Sequence, residues 1–287
     1  MASYRICAFA DEADPSLEGQ IRALHENRIG LLEIRGVNGI NIADLAPERV
    51  REVRKALDDA GISVWSIGSP IGKVNIKGDR ADEFDRFKKV LDSAVTLGAS
   101  CIRLFSFFGT NGDPAYLDEV ADRLSDFVRE AGPTGVIVCH ENEKGIYGDT
   151  ADRCLEILDR VPGLTAVFDP ANFIQCGEDV LRAFRLLKDR IYYGHIKDCL
   201  KNGTVVAAGE GDGHMDVYLP ELLKEKETVL TLEPHLQEFV GLSGLETPGD
   251  RTVIDQKRFA SGAEAFRYAT ESLRALLNRA GQTEKTC

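Results

Sequence analysis

Four short apolar runs in this chain each end on a side chain that can hold a cation. They read VIVCHEN (Val136 to Asn142), LTAVFDPAN (Leu164 to Asn172), YYGHIKD (Tyr192 to Asp198) and VLTLEPH (Val229 to His235). The donors are Glu141, Asp169, His195 and Glu233. Three carboxylates and one imidazole suit a hard divalent ion better than a thiolate-seeking one. Mn²⁺ is the expected cofactor, with Mg²⁺, Co²⁺ and Zn²⁺ as alternatives. A carboxylate beside such an ion can move a proton next to a carbonyl. Taken singly, each glutamate reads equally well as half of a salt bridge. A buried charge needs a partner, and four such groups at four strand ends share one partner most economically in a cation.

Other polar residues cluster around these four. Asn172 lies three residues after Asp169, placed either to bind a hydroxyl or a carboxylate or to close a turn after Pro170. Lys197 shares a strand face with His195 by alternation. His235 follows Glu233 by two and can reach the same pocket. Glu143 is a candidate substrate contact or a support for the ligands. His140 should point away from Glu141. Glu33 and Arg35 share a face of an earlier strand and read slightly better as a structural pair than as a substrate grip. Asp11 and Glu12 reach the pocket or form a turn, with equal weight. Trp65 could stack on a ring but reads better as core. Glu210 and His214 sit in a glycine-rich stretch and could complete the pocket. The glycines there could cradle a phosphate, but Glu210, Asp212 and Asp216 argue against it.

The elements that must carry these groups follow an alternating pattern. Strands are expected over 5–10, 31–35, 63–68, 101–105, 136–140, 165–168, 192–196 and 229–232. Helical spacing fills 15–27, 47–60, 81–97, 114–131, 150–160, 179–188, 219–224 and 263–280. Gly61, Gly98 and Gly132 stop helices. The stretch 200–215 lacks helical periodicity, and 282–287 looks like a frayed tail. Eight such alternations in 287 residues describe one (β/α)8 barrel domain spanning the chain. No GxGxxG follows the first strand, against a dinucleotide-binding open sheet. In a barrel, the C-terminal strand ends carry the chemistry. A long segment, 237–262, follows the last strand and reads as a lid or a subunit contact. A shorter one, 36–47, follows the second.

Composition narrows the function class. The formal net charge is -12, which repels nucleic acid. No apolar run is long enough to span a membrane, and the start shows no signal-peptide pattern, so a cytoplasmic protein is expected. The seven cysteines are scattered without a CxxC pair. They read as reduced and structural.

The residues HENE, DPAN, HIKD and LEP, with the strand rhythm, resemble the xylose isomerase-like TIM-barrel superfamily, especially its sugar isomerase and ketose 3-epimerase branch. The resemblance implies that Asp169 and His195 anchor a metal, while Glu141 and Glu233 also bind it and flank an open-chain sugar. One glutamate would remove the proton next to the carbonyl to give an enediolate, and the proton's return would set the product. It implies Lys197, Asn172, His235 and Glu143 as substrate contacts, a sugar or polyol as partner, and a dimer or tetramer. An inosose-type dehydratase or a subunit of a C-glycoside lyase would use the same residues. A non-catalytic sugar-binding protein would have little use for four buried ligands. Endonuclease IV, in the same superfamily, resembles a three-zinc site rich in histidine, and this chain has only five histidines.

Overall fold

The computed structural model describes residues 3–242, 253–254 and 259–285, without the side chain of Glu225. Eight parallel strands form the barrel. They are β1 (Ser3–Ala8), β2 (Leu31–Ile34), β3 (Ser63–Gly68), β4 (Cys101–Leu104), β5 (Ile137–Glu141), β6 (Thr165–Phe168), β7 (Ile191–Ile196) and β8 (Thr228–Leu232). Each pairs with the next, and β8 returns to β1 with Tyr4 opposite Thr228 and Ala8 opposite Leu232. Closure leaves the barrel strands no free edge. The sequence places every strand to within two residues.

The helices are α1 (Leu17–Glu26), α2 (Pro47–Asp59), α3 (Arg80–Leu97), α4 (Leu117–Ala131), α5 (Ala151–Arg160), α6 (Pro170–Gln175), α7 (Val180–Leu187), α8 (Met215–Glu225) and α9 (Gly262–Arg279). Their starts are set by side-chain caps. Ser16 accepts from the Gly19 amide, Asp79 from Ala81 and Asp82, Thr150 from Arg153, and Asp179 from Arg182. Each cap satisfies a donor the helix itself cannot. Gly98 ends α3 at φ 67°, where a side chain would be strained.

Two cores hold the barrel. A large one lies between strands and helices. A smaller one fills the barrel interior near the strand starts, from Cys7, Leu31, Cys101, Cys139, Val167, Tyr193 and Val229. Trp65 packs against this inner core and stacks on Tyr192 at 5.6 Å. It is a wall of the closed end, as its apolar strand suggested. Among the described residues, Cys101, Cys139, Cys154, Cys176 and Cys199 form no disulfide.

Three features depart from expectation. The short α6 follows β6 directly, because Asp169 caps it and Pro170 opens it. The stretch 200–215 holds a small sheet, with Asp198–Cys199 antiparallel to Thr204–Val206, which pairs with Val253–Ile254. The tail is not frayed over its described part: Thr283–Glu284 runs beside β1, and Arg274 holds Glu284 at 2.7 Å. Most of the segment 237–262, expected as a lid or contact, lies outside the described residues.

Candidate active site

The strand ends deliver Glu141 (last residue of β5), Asp169 (just past β6), His195 (near the end of β7) and Glu233 (just past β8) to one buried point. One ligand atom from each lies within 4.8 Å of all the others. His195 Nδ1 is 3.0 Å from Glu141 Oε1 and 3.2 Å from Glu233 Oε2. The ring's other nitrogen, Nε2, is 3.3 Å from Glu33 Oε2. Glu33 also accepts from Tyr193 at 2.8 Å and Ser66 at 3.2 Å. A metal-binding histidine commonly has such a carboxylate behind it.

The cluster fits a divalent cation on the chemistry of its donors. Among the described residues, Asp11, Glu12, Glu33, Glu141, Asp169 and Glu233 are buried here beside the buried cations Arg35, Arg103 and Lys197. Asp169 Oδ2 is buried and accepts no hydrogen bond; Lys197 Nζ stands 2.8 Å away, out of line for one. Burial pushes the Asp169 carboxyl up to about 6, opposed by Lys197 and aided by Glu141 and Glu233. Burial opposes ionisation of Glu233 too, but Lys197, His195 and His235 hold it well below the usual range. Burial opposes charge on His195, while Glu141 and Glu33 push its pKa well up. A second group, Glu12, Glu233 and His235, shares Glu233 and is similarly close.

The surrounding candidates fall into place as follows. Asn172 donates to Glu141 Oε1 at 3.3 Å and to the Asn142 carbonyl at 2.9 Å, while its amide caps on Asp169. Asn142 and Asp169 exchange two bonds, at 2.8 and 3.0 Å. Lys197 bridges Asp169 and, at 3.4 Å, Glu233. His235, at φ 45°, has Nε2 3.5 Å from Glu233 Oε1 and donates its amide to Glu12. Glu143 takes a bond from Lys73 at 2.9 Å. His140 does turn away from Glu141, to Ser106 at 2.9 Å, and burial lowers it to about 3.

Two expectations are corrected. Glu33 and Arg35 are not paired with each other. The register of β2 shifts between Leu32 and Glu33, and Arg35 instead holds Asp11 at 3.0 Å, Glu12 at 3.3 Å and Glu233 at 3.1 Å. This also brings Asp11 and Glu12, on a short turn after β1, into the site. Glu210 and His214 do not complete the pocket, since both are exposed. The glycine amides beside them are already used: Gly209, Gly211 and Gly213 donate to the Asp198 carboxylate at 2.9, 3.1 and 2.9 Å. The cradle holds this chain's own anion rather than a phosphate.

Sequence reasoning missed Arg103, whose Nε is 3.0 Å from Glu141 Oε2. The one signal was an arginine inside the otherwise apolar strand CIRLF, where a charge is costly without a partner.

The fold has solved counterparts. A structure of L-ribulose 3-epimerase is 18% identical with a TM-score of 0.76, covering 96% of this chain and 95% of that one. The IOLI protein with a bound zinc atom is 16% identical, TM-score 0.73, covering 96% and 98%. The probable 3-DHS dehydratase AsbF, involved in petrobactin synthesis in Bacillus anthracis, is 14% identical, TM-score 0.71, covering 94% and 98%. At such identities the likeness is one of fold. A comparison with curated proteins gave no match. Among the described residues no helix is long and apolar enough to cross a membrane. The family model for the xylose isomerase-like TIM barrel matches residues 29–267, and the chain belongs to that family.

Proposed function

We propose that this protein is a divalent-metal-dependent sugar isomerase or epimerase that works by proton transfer on Glu141 and Glu233. One observation carries the proposal: the two glutamates approach the same nitrogen, His195 Nδ1, from different strands, at 3.0 and 3.2 Å. Glu141, Asp169, His195 and Glu233 would hold the metal. When bound, the ion would polarise a substrate carbonyl and offset the charge that builds on its oxygen.

The chain's residues divide the remaining work. One glutamate takes the proton from the carbon next to the carbonyl, leaving an enediolate. If the other glutamate returns a proton to the opposite face of the same carbon, the product is an epimer. Return to the neighbouring carbon gives the aldose–ketose isomer. Lys197, set between Asp169 and Glu233, is placed to move from its carboxylates to a substrate oxygen when the metal binds. Asn172 keeps Glu141 in place through its 3.3 Å bond. His235 lies against Glu233 and orients it, and Glu143 holds Lys73 in place on the adjoining wall. We take Mn²⁺ as the working metal and residues 1–287 as one domain.

Product analysis tests the proposal. The Mn²⁺-loaded protein is incubated with a panel of ketoses, aldoses and keto-inositols, and products are resolved by chromatography. An epimer or isomer that forms only with metal supports it. Water loss without isomer formation would assign a dehydratase on the same site, and the isomerase proposal would fall.

A further inference from the structure

A cavity of about 190 Å³ opens beside the acidic cluster. Arg35, Lys73 and Arg103 form its polar wall, and Asp11 is the one carboxylate lining it among the described residues. Each of these cations also has carboxylate partners: Arg35 has Asp11, Glu12 and Glu233, Lys73 has Glu143, and Arg103 has Glu141 at 3.0 Å and Glu33 at 4.0 Å. Aromatic faces hold these charges in place. The Arg35 guanidinium lies 4.4 Å from the Phe9 ring centre, that of Arg103 4.6 Å from Phe105, and Lys73 Nζ 4.4 Å from Phe105. Such contacts stabilise a cation without using its N–H donors.

Arg103 is under-used. It is 2% exposed, and a guanidinium carries five N–H donors. Among the described residues it donates one hydrogen bond, from Nη1 to the Ser69 carbonyl at 2.8 Å. Its Nε is buried without a hydrogen bond, facing Glu141 only as an ion pair. Gly68 lets Phe9 and Arg103 pack close to the backbone: a Cβ there would meet Arg103 Nη2 at 3.2 Å and Phe9 at 2.5 Å. A buried guanidinium with idle donors on a cavity wall calls for an acceptor.

We propose that this cavity takes an anionic group of the substrate, a carboxylate or a phosphate, with Arg103 as its main ligand and Lys73 and Arg35 beside it. The substrate class is then a polyhydroxy carbonyl compound with an oxyanion away from the reacting carbon. This rests on the proton-transfer proposal for the substrate's other end. Arg103 touches Glu141, so an anion on the guanidinium would register the substrate against that base.

The test uses three non-reacting probes on the metal-loaded protein: D-gluconate, D-glucitol 6-phosphate and neutral D-glucitol. None has an aldehyde or ketone group, so binding does not depend on proton transfer. Failed sugar conversion and failed anion binding are therefore separate results. By calorimetry, at least one anion should bind about tenfold or more tightly than glucitol. Arg103→Gln should remove that advantage, and Lys73→Met should reduce it. Gluconate alone gaining would assign a carboxylate, and glucitol 6-phosphate alone a phosphate. Equal binding of all three, no binding of either anion at millimolar concentration, or anion affinity unchanged in Arg103→Gln would overturn the proposal. If Arg103→Gln does not fold, unchanged anion affinity in Lys73→Met overturns it instead.

Discussion

Glu33 Oε2 stands 3.3 Å from His195 Nε2, on the side of the ring turned away from Glu141 and Glu233. Tyr193 and Ser66 fix that carboxylate in turn. The imidazole is therefore gripped at Nε2 and presents Nδ1 to the acids. Strand β2, across the barrel from β7, thus sets the orientation of His195 on β7.

Glu33→Gln should weaken metal binding by about 10- to 100-fold, the usual cost of losing a carboxylate behind a ligating histidine. Competition with a chelator measures it. Unchanged affinity would show that the Glu33 contact does not orient His195 for metal.

Glu233→Gln keeps the size of the side chain but removes the carboxylate that faces His195, Arg35 and Lys197. Turnover should fall by about 10²-fold or more, while thermal unfolding shows a cooperative fold. Wild-type turnover in this variant would take Glu233 out of the mechanism.

Gly211 closes the cradle around Asp198. A Cβ at this position would come within 2.4 Å of Asp198 Oδ1 and 2.6 Å of the Cys199 carbonyl. Gly211→Ala should cost about 1–3 kcal/mol of stability, as forced contacts in packed interiors do. Denaturant unfolding would detect this, and a loss below ~0.5 kcal/mol would mean the loop relaxes freely.

Glu83 gives a pH prediction away from the site. Burial raises its pKa, opposed by its bond from the Gly72 amide at 2.7 Å and by Arg86 and Arg123. Between the unfolded and the raised folded pKa the folded state binds more protons, so this group adds stability as pH falls. The penalty for charging it is fully present above the folded pKa. Glu83→Gln keeps the acceptor for Gly72 and should be more stable than wild type at pH 7. The advantage should vanish once pH drops below the ordinary carboxylate range. Urea unfolding at both pH values decides it, and an advantage that grows in acid would contradict it.

The barrel was legible because each strand is a short apolar run closed by a turn residue or a helix cap. The cluster of Glu141, Asp169, His195 and Glu233 was legible because four such groups end four neighbouring strands, although each alone reads equally well as half of a salt bridge. Arg103 was not, because the strand around it reads as core, and its partner Glu141 lies on the next strand. Glu33 was misassigned to Arg35 because alternation puts both on one face, while the irregular register of β2 gives them different partners. The glycine run 209–213 could be seen as an anion cradle, but only the fold shows that Asp198 fills it. Helix α6 is six residues long, below what periodicity can show.

Exchange of substrate hydrogen with solvent tests the central claim most directly. The Mn²⁺-loaded protein is held in D₂O with each ketose and aldose of the panel, and NMR follows deuterium at the carbon next to the carbonyl. Proton transfer through Glu141 and Glu233 predicts incorporation that stops with chelator and in Glu233→Gln. Conversion of a sugar with no deuterium entering from solvent and none stopped by chelator would contradict it.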